Sequence, residues 1–266
     1  MRQLIPPGGK RKSRTGPQKI AAAAGNFDYP VSQVGRADKV TVYYDPALGD
    51  QGKGLATQLL SAVTGPYDDM EKFFGITGQP VDILVAPLSG KNDGSGGAYH
   101  YGCDFTAGGA LYLDATFAAA DPLDLEVGLY VAELSESFMG PQGRGWGCGF
   151  SNGEGLSRFC AEQETPPGTL DAFATGPAWV AADYPDWVTE TEQTDGDDAA
   201  TGCAILYIYW MLSRGHGIPE IIAAGGATLA ENYQALTGET SAYQDLVAAV
   251  KVHLPVTSDN PFLQKP

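Results

Sequence analysis

The stretch from Pro122 to Met139 constrains the fold most, because its apolar residues have helical spacing and cover both faces of the predicted helix. At about 100° per residue, one narrow arc holds Leu123, Val127, Val131, Leu134 and Phe138. The opposite side, where a surface helix is polar, holds Leu125, Leu129, Ala132 and Met139 beside Glu136. We therefore expect a helix buried on both sides, whose carboxylates must be paired, metal-bound or protonated. The alternative is that Glu133 and Glu136 are ordinary solvated acids of a helix surface.

Apolar periodicity elsewhere predicts an α+β fold, with a small, mostly antiparallel sheet followed by a helical half. Clusters of β-branched and aromatic residues predict strands over 39–45, 81–86, 98–103 and 110–117, the last two as a hairpin. Helical spacing appears between these strands over 54–63 and 66–74, and then almost alone from Pro122 onward. Strands with helices first and helices alone afterwards are typical of α+β domains.

The 266 residues suit one large domain, which we place over 37–256, between a leader, 1–36, and a tail, 257–266. The leader is rich in Pro, Gly, Lys and Arg, and we expect it to be disordered. It has no apolar run of the kind found in a signal peptide, and no run in the chain is long enough to span a bilayer. These features predict a soluble protein and leave its compartment open.

The charge of the chain limits its partners. The formal net charge is −16, and the residues after position 20 carry ten basic side chains against 32 acidic ones. Binding to nucleic acid or to an anionic membrane needs basic surface, so neither is expected as a partner. The balance favours a small-molecule or peptide ligand, or a hard cation.

A second segment with chemical potential runs from Gly153 to Glu162, where a predicted helix begins Gly153-Glu154-Gly155. Glycine on both sides of a glutamate lets another backbone or a ligand approach closely. Taken with the first helix, this segment resembles the gluzincin group of metallopeptidases, the thermolysin-like and aminopeptidase-like fold. Members carry H-E-x-x-H on one helix, followed after a loop by a helix that begins near Asn-Glu-Gly. The resemblance covers roughly residues 38–254 and implies a zincin-like fold.

The resemblance assigns roles to three glutamates. Glu133 corresponds to the general base, and Glu154 corresponds to the third zinc ligand. The two histidine positions, however, hold Ala132 and Glu136. Alanine cannot bind a metal, so we do not expect zinc in the usual three-ligand site.

Glu136 and Glu154 offer only oxygen donors, which suit Ca²⁺, Mg²⁺ or Mn²⁺ better than zinc. Loop oxygens of Asp104 or Asp114 are candidates to complete such a site. His100, in a predicted strand, is a further candidate ligand-binding residue if it reaches the cleft, although a plain strand-face histidine is the commoner situation.

These patterns leave two functions open. The first is a metallopeptidase-like protein that is inactive as a zinc peptidase and binds a ligand or hard metal in a cleft lined by Glu133, Glu136 and Glu154. The alternative is an active hydrolase of peptide or glycoside bonds, in which Glu133 is the general base or acid. Ser135 and Ser137 flank the motif, but no His and Asp pattern near them indicates a triad.

The four cysteines allow several pairings. Cys160 lies in an apolar helical run and is predicted to be a buried free thiol. One disulfide among Cys103, Cys148 and Cys203 is left open. None of the four has C-x-x-C spacing, so the pattern does not indicate a cysteine zinc site.

Overall fold

The computed structural model describes residues 27–88, 97–116, 119–194 and 196–262. Its sheet has five strands in the spatial order β1-β2-β3-β5-β4, with bounds β1 Ser32–Ala37, β2 Val40–Tyr44, β3 Val81–Ala86, β4 Ala98–His100 and β5 Gly109–Asp114. The central strand β3 is parallel to both of its neighbours, whereas the edge strands β1 and β4 are antiparallel to theirs. The α+β class is confirmed. The expected mostly antiparallel sheet is wrong, because two of the four pairings are parallel.

Alternation along the strands gives the sheet two different faces. Ile83 and Leu111 belong to the main core under the helices, whereas Leu84 and Tyr112 belong to a smaller cluster on the opposite face. Tyr99 stacks on Tyr112 in that smaller cluster, with the ring centroids 4.5 Å apart. The chain neighbours of Tyr99 therefore point the other way, toward the helices.

Nine α-helices occur in the described residues: α1 Gly49–Ala62, α2 Thr64–Phe74, α3 Pro122–Gln142, α4 Ser151–Gln163, α5 Gly176–Ala181, α6 Asp198–Ser213, α7 Ile218–Ala224, α8 Leu229–Thr237 and α9 Ala242–Val252. Helix α3 lies against the sheet beside β4 and β5, and α4 packs between α3 and α6. Asp121 caps α3 by accepting hydrogen bonds from the backbone N–H groups of Leu123 and Asp124. Every residue of α3 from Leu125 to Met139 is buried, which confirms the expectation of a helix covered on both sides.

The two glycines around Glu154 permit close packing of α4. A Cβ on Gly153 would lie 2.0 Å from the carbonyl oxygen of Gly147, and one on Gly155 would lie 2.5 Å from the Cβ of Ala204. Both distances are far inside van der Waals contact. The Gly-Glu-Gly pattern is thus explained by the approach of neighbouring protein segments on two sides of α4.

The predicted domain boundaries need two corrections. Strand β1 begins at Ser32, inside the segment 1–36 that was expected to be disordered, because it pairs with β2 along the sheet edge. Asp259, in the expected tail 257–266, is buried and accepts hydrogen bonds from the backbone N–H groups of Thr175 and Gly176. Residues 1–26 and 263–266 lie outside the described residues.

Within the described parts of the chain, no helix combines the length and the apolar character needed to cross a membrane.

Candidate functional site

The candidate site lies where strand β4 meets the C-terminal half of α3. Ala98 belongs to the main core and Tyr99 to the cluster on the other face. Alternation therefore turns His100 toward α3. Glu133 and Glu136 are one helical turn apart on α3, so both can face the same neighbour. His100, Glu133 and Glu136 are 1–2% exposed, and the group they form is closed to bulk water.

His100 and Glu136 make the shortest contact in the site. The Nε2 atom of His100 lies 2.5 Å from Oε2 of Glu136 and 3.8 Å from Oε2 of Glu133. The ring of His100 also meets Phe105 edge-on, with the centroids 4.8 Å apart and the planes at 77°. The contact with Phe105 and the contact with Glu136 thus hold the imidazole of His100 so that its Nε2 atom lies near both carboxylates.

A disulfide closes one side of this group. Cys103, which follows β4, is bonded to Cys148 in the loop between α3 and α4. The Sγ atom of Cys148 lies 4.0 Å from Oε2 of Glu136. Cys160 and Cys203 are free and buried, so the prediction for Cys160 is confirmed, and the open pairing is Cys103 with Cys148. Sequence reasoning missed Cys148 as a site residue, because its distance from Glu136 depends on how two loops fold.

Glu154 is buried in the first turn of α4, the helix that packs against α3. The convergence of its carboxylate with those of Glu133 and Glu136 stays a prediction.

The other oxygen donors considered from the sequence have hydrogen-bond partners close to them in the chain. Asp104 is exposed, and its carboxylate accepts hydrogen bonds from the backbone and hydroxyl of Thr106, which lowers its pKa. Asp114 is buried and accepts the corresponding bonds from Thr116. The hydroxyls of Ser135 and Ser137 donate hydrogen bonds to backbone carbonyls of α3, the helix that carries them.

A further buried carboxylate lies two turns before Glu133 on α3. Glu126 is 2% exposed, and burial together with the charge of Asp114 raises its pKa to about 8. In the described part of the chain, no group forms a hydrogen bond with its Oε2 atom. Glu126 is therefore mostly protonated at neutral pH, which is one of the ways a carboxylate can be accommodated inside this helix.

The zinc arrangement of the gluzincins does not fit this site. Ala132, at the first histidine position, is buried in the core and has no donor atom. Glu136, at the second, is paired with His100, a residue outside the motif. Searches against protein-family models and against curated proteins found no match to this chain.

Proposed function

We propose that this chain is a metallopeptidase-like protein that does not hold zinc in the family's usual way and instead binds one divalent cation between His100, Glu133 and Glu136. One observation carries the proposal: Nε2 of His100 lies 2.5 Å from Glu136 Oε2 and 3.8 Å from Glu133 Oε2. Donor atoms around one metal are typically separated by about 3.3 Å when each bond is near 2.0–2.1 Å. Small shifts of these side chains would bring His100 Nε2 to that spacing from each of the two carboxylates.

Charge supports a cation in this position. Two carboxylates beside one imidazole carry more negative than positive charge, even if the imidazole is protonated. A divalent cation beside two buried carboxylates favours their ionised form. A metal also needs the imidazole neutral and both carboxylates ionised, so cation binding releases protons.

The donor set indicates which cation to test. Carboxylates favour Mg²⁺, Ca²⁺ and Mn²⁺, and imidazole favours the transition metals. Mn²⁺ accepts both donor types. The glutamates alone would suit any of these hard cations. With His100 as a further ligand, Mn²⁺ is the cation that suits the whole set of donors.

The position of the site supports the resemblance to metallopeptidases. Helix α3 lies under the edge strand β4, and β4 is antiparallel to its neighbour β5. Glu133, the residue that corresponds to the family's general base, lies within this group. The resemblance also suggests a small-molecule or peptide ligand near the same group.

Metal binding to purified protein, measured by titration calorimetry with Mn²⁺, tests the proposal. We expect one equivalent to bind to the native chain, and we expect Glu136→Gln and Glu133→Gln to weaken binding by about tenfold or more, or ~1.4 kcal/mol. Glu126→Gln is the matched control, since it removes a buried carboxylate from the same helix away from His100. The absence of binding to the native chain, or an equal loss in Glu126→Gln, would contradict the proposal.

The pairing of His100 with Glu136 also favours a second function, hydrolysis of a peptide or glycoside bond. A carboxylate that orients an imidazole is a common acid–base arrangement, and Glu133 is positioned to act beside it. The test is turnover on a panel of peptides and glycosides, compared between the native chain and Glu133→Gln. A turnover that is lost in Glu133→Gln and retained in Glu126→Gln supports an enzyme, whereas equal turnover in all three rejects this function.

A further inference from the structure

The disulfide Cys103–Cys148 places a sulfur atom against the same pair of side chains. One nitrogen of His100, one carboxylate oxygen of Glu136 and Sγ of Cys148 all lie within 4.8 Å of one another. In a tetrahedral zinc site, a thiolate sulfur and a carboxylate oxygen are separated by about 3.5 Å. The observed distance of 4.0 Å from Cys148 Sγ to Glu136 Oε2 is close to that value.

The oxidation state of Cys148 decides whether this sulfur can bind a metal. A disulfide sulfur is uncharged, whereas the thiolate is the form that ligates metals. Cys103 is exposed and Cys148 is half-buried, so the bridge can be reached by a thiol reductant. Cys160 and Cys203 are completely buried and lie outside the group.

We propose that reduction of the Cys103–Cys148 bridge creates a zinc site whose ligands are His100, Glu136 and the thiolate of Cys148. The proposal rests on the same His100–Glu136 pair as the proposed function and adds redox control of which metal is held. The thiolate is the new element, because soft sulfur donors select zinc over the cations that prefer oxygen.

The chemistry balances with a dithiol as the reductant. The sulfur–sulfur bond breaks as the dithiol supplies two electrons and two protons and becomes a cyclic disulfide, leaving two cysteine thiols. When the metal binds, the Cys148 thiol proton and any proton shared by His100 and Glu136 pass to solvent. The imidazole then binds as the neutral tautomer, through Nε2 and with its single proton on Nδ1.

Two single variants separate ligation from loss of the bridge. Cys103→Ser leaves Cys148 as a permanent thiol, and Cys148→Ser removes the ligand. Both open the same loop, in which the bridged residues are 45 positions apart, and both should therefore lose similar stability. The probe is Co²⁺, a spectroscopic substitute for zinc whose bond to a thiolate gives a near-ultraviolet charge-transfer band.

Without reductant, we expect Cys103→Ser to bind Co²⁺ with the thiolate band, and at least about tenfold more tightly than Cys148→Ser. The native chain should show the band only after treatment with a dithiol, and Cys103→Ser should lose it when His100 is replaced by Ala. If both cysteine variants bind Co²⁺ equally and neither shows the band, the thiolate ligand is rejected while cation binding by His100 and the glutamates can still hold. A different result is that the oxidised native chain binds no cation, whereas Cys103→Ser binds Co²⁺ and shows the thiolate band. The redox-controlled site then stands, and the cation site of the oxidised protein is rejected.

Discussion

His100 determines what the buried group can do, because it supplies the imidazole nitrogen that lies between two carboxylates. Its ring is fixed by Phe105 on one side and by Glu136 at its edge. Removing it would leave buried carboxylates without that contact, and a buried polar group that loses its partner typically costs ~1–3 kcal/mol.

We therefore predict that His100→Ala lowers the free energy of unfolding by about 2 kcal/mol and also weakens Mn²⁺ binding. Urea unfolding and metal titration measure the two effects. His216→Ala is the matched control, since His216 contacts the exposed Glu220 at 3.2 Å, and surface pairs of this kind contribute little to stability. Equal effects of the two substitutions would show that His100 is an ordinary strand residue.

Glu126 predicts a pH dependence of stability. Its folded-state pKa, about 8, lies above its usual value of 4.5 because of burial and the nearby Asp114. The folded state thus binds the proton more tightly than the unfolded state. The resulting stabilisation is complete below pH 4.5 and is lost as the pH rises through 8.

Glu126→Gln, which resembles the protonated form, should match the native chain near pH 4.5 and be more stable at higher pH. With about 1.4 kcal/mol for each pH unit, the difference should approach ~3 kcal/mol at pH 7. Urea unfolding at a series of pH values measures it. A constant difference across that range would mean that Glu126 does not titrate with a raised pKa.

At the scale of elements, helix α4 depends on close contacts that only glycine permits. The space beside Gly155 is filled by Ala204 and by the backbone nitrogen of Ile205, 2.8 Å from where a Cβ would lie. A methyl group there would force α4 and α6 apart, and overpacking of a core typically costs ~1–3 kcal/mol.

We predict that Gly155→Ala lowers the free energy of unfolding by about 2 kcal/mol or more. Gly54→Ala is the control, because Gly54 lies on α1 and an added Cβ there would have no described atom within 4 Å. Alanine in an open helical position should stabilise the chain by up to ~1 kcal/mol. Thermal unfolding compares the two, and the same sign for both variants would contradict the packing role of Gly155.

The local pattern of apolar residues is enough to predict those helices and strands whose residues are buried along their whole length. The sequence predicts strand β3 over Val81–Ala86, its observed bounds, because its run is apolar apart from Asp82. Strand β1 escapes prediction, since Ser32–Ala37 is half-polar and is held by pairing with β2. Helix α5 escapes it as well, because its six residues, Gly176–Ala181, are too few for a periodic pattern.

At the scale of the whole molecule, the site depends on contacts that no local pattern contains. The sequence indicates buried glutamates on α3, since both faces of that helix are apolar. It does not indicate which strand residue meets them, because that depends on how β4 lies across α3. The disulfide cannot be predicted from local pattern either, because Cys103 and Cys148 are brought together by loops at the ends of different elements.

The cation site formed by His100, Glu133 and Glu136 is tested most directly by anomalous X-ray diffraction from crystals of the oxidised protein soaked in Mn²⁺. The account predicts one strong anomalous peak at bonding distance, about 2.0–2.2 Å, from Nε2 of His100 and from carboxylate oxygens of Glu136 and Glu133. A soaked crystal with no peak at these three side chains, or with Mn²⁺ held elsewhere in the molecule, would contradict it.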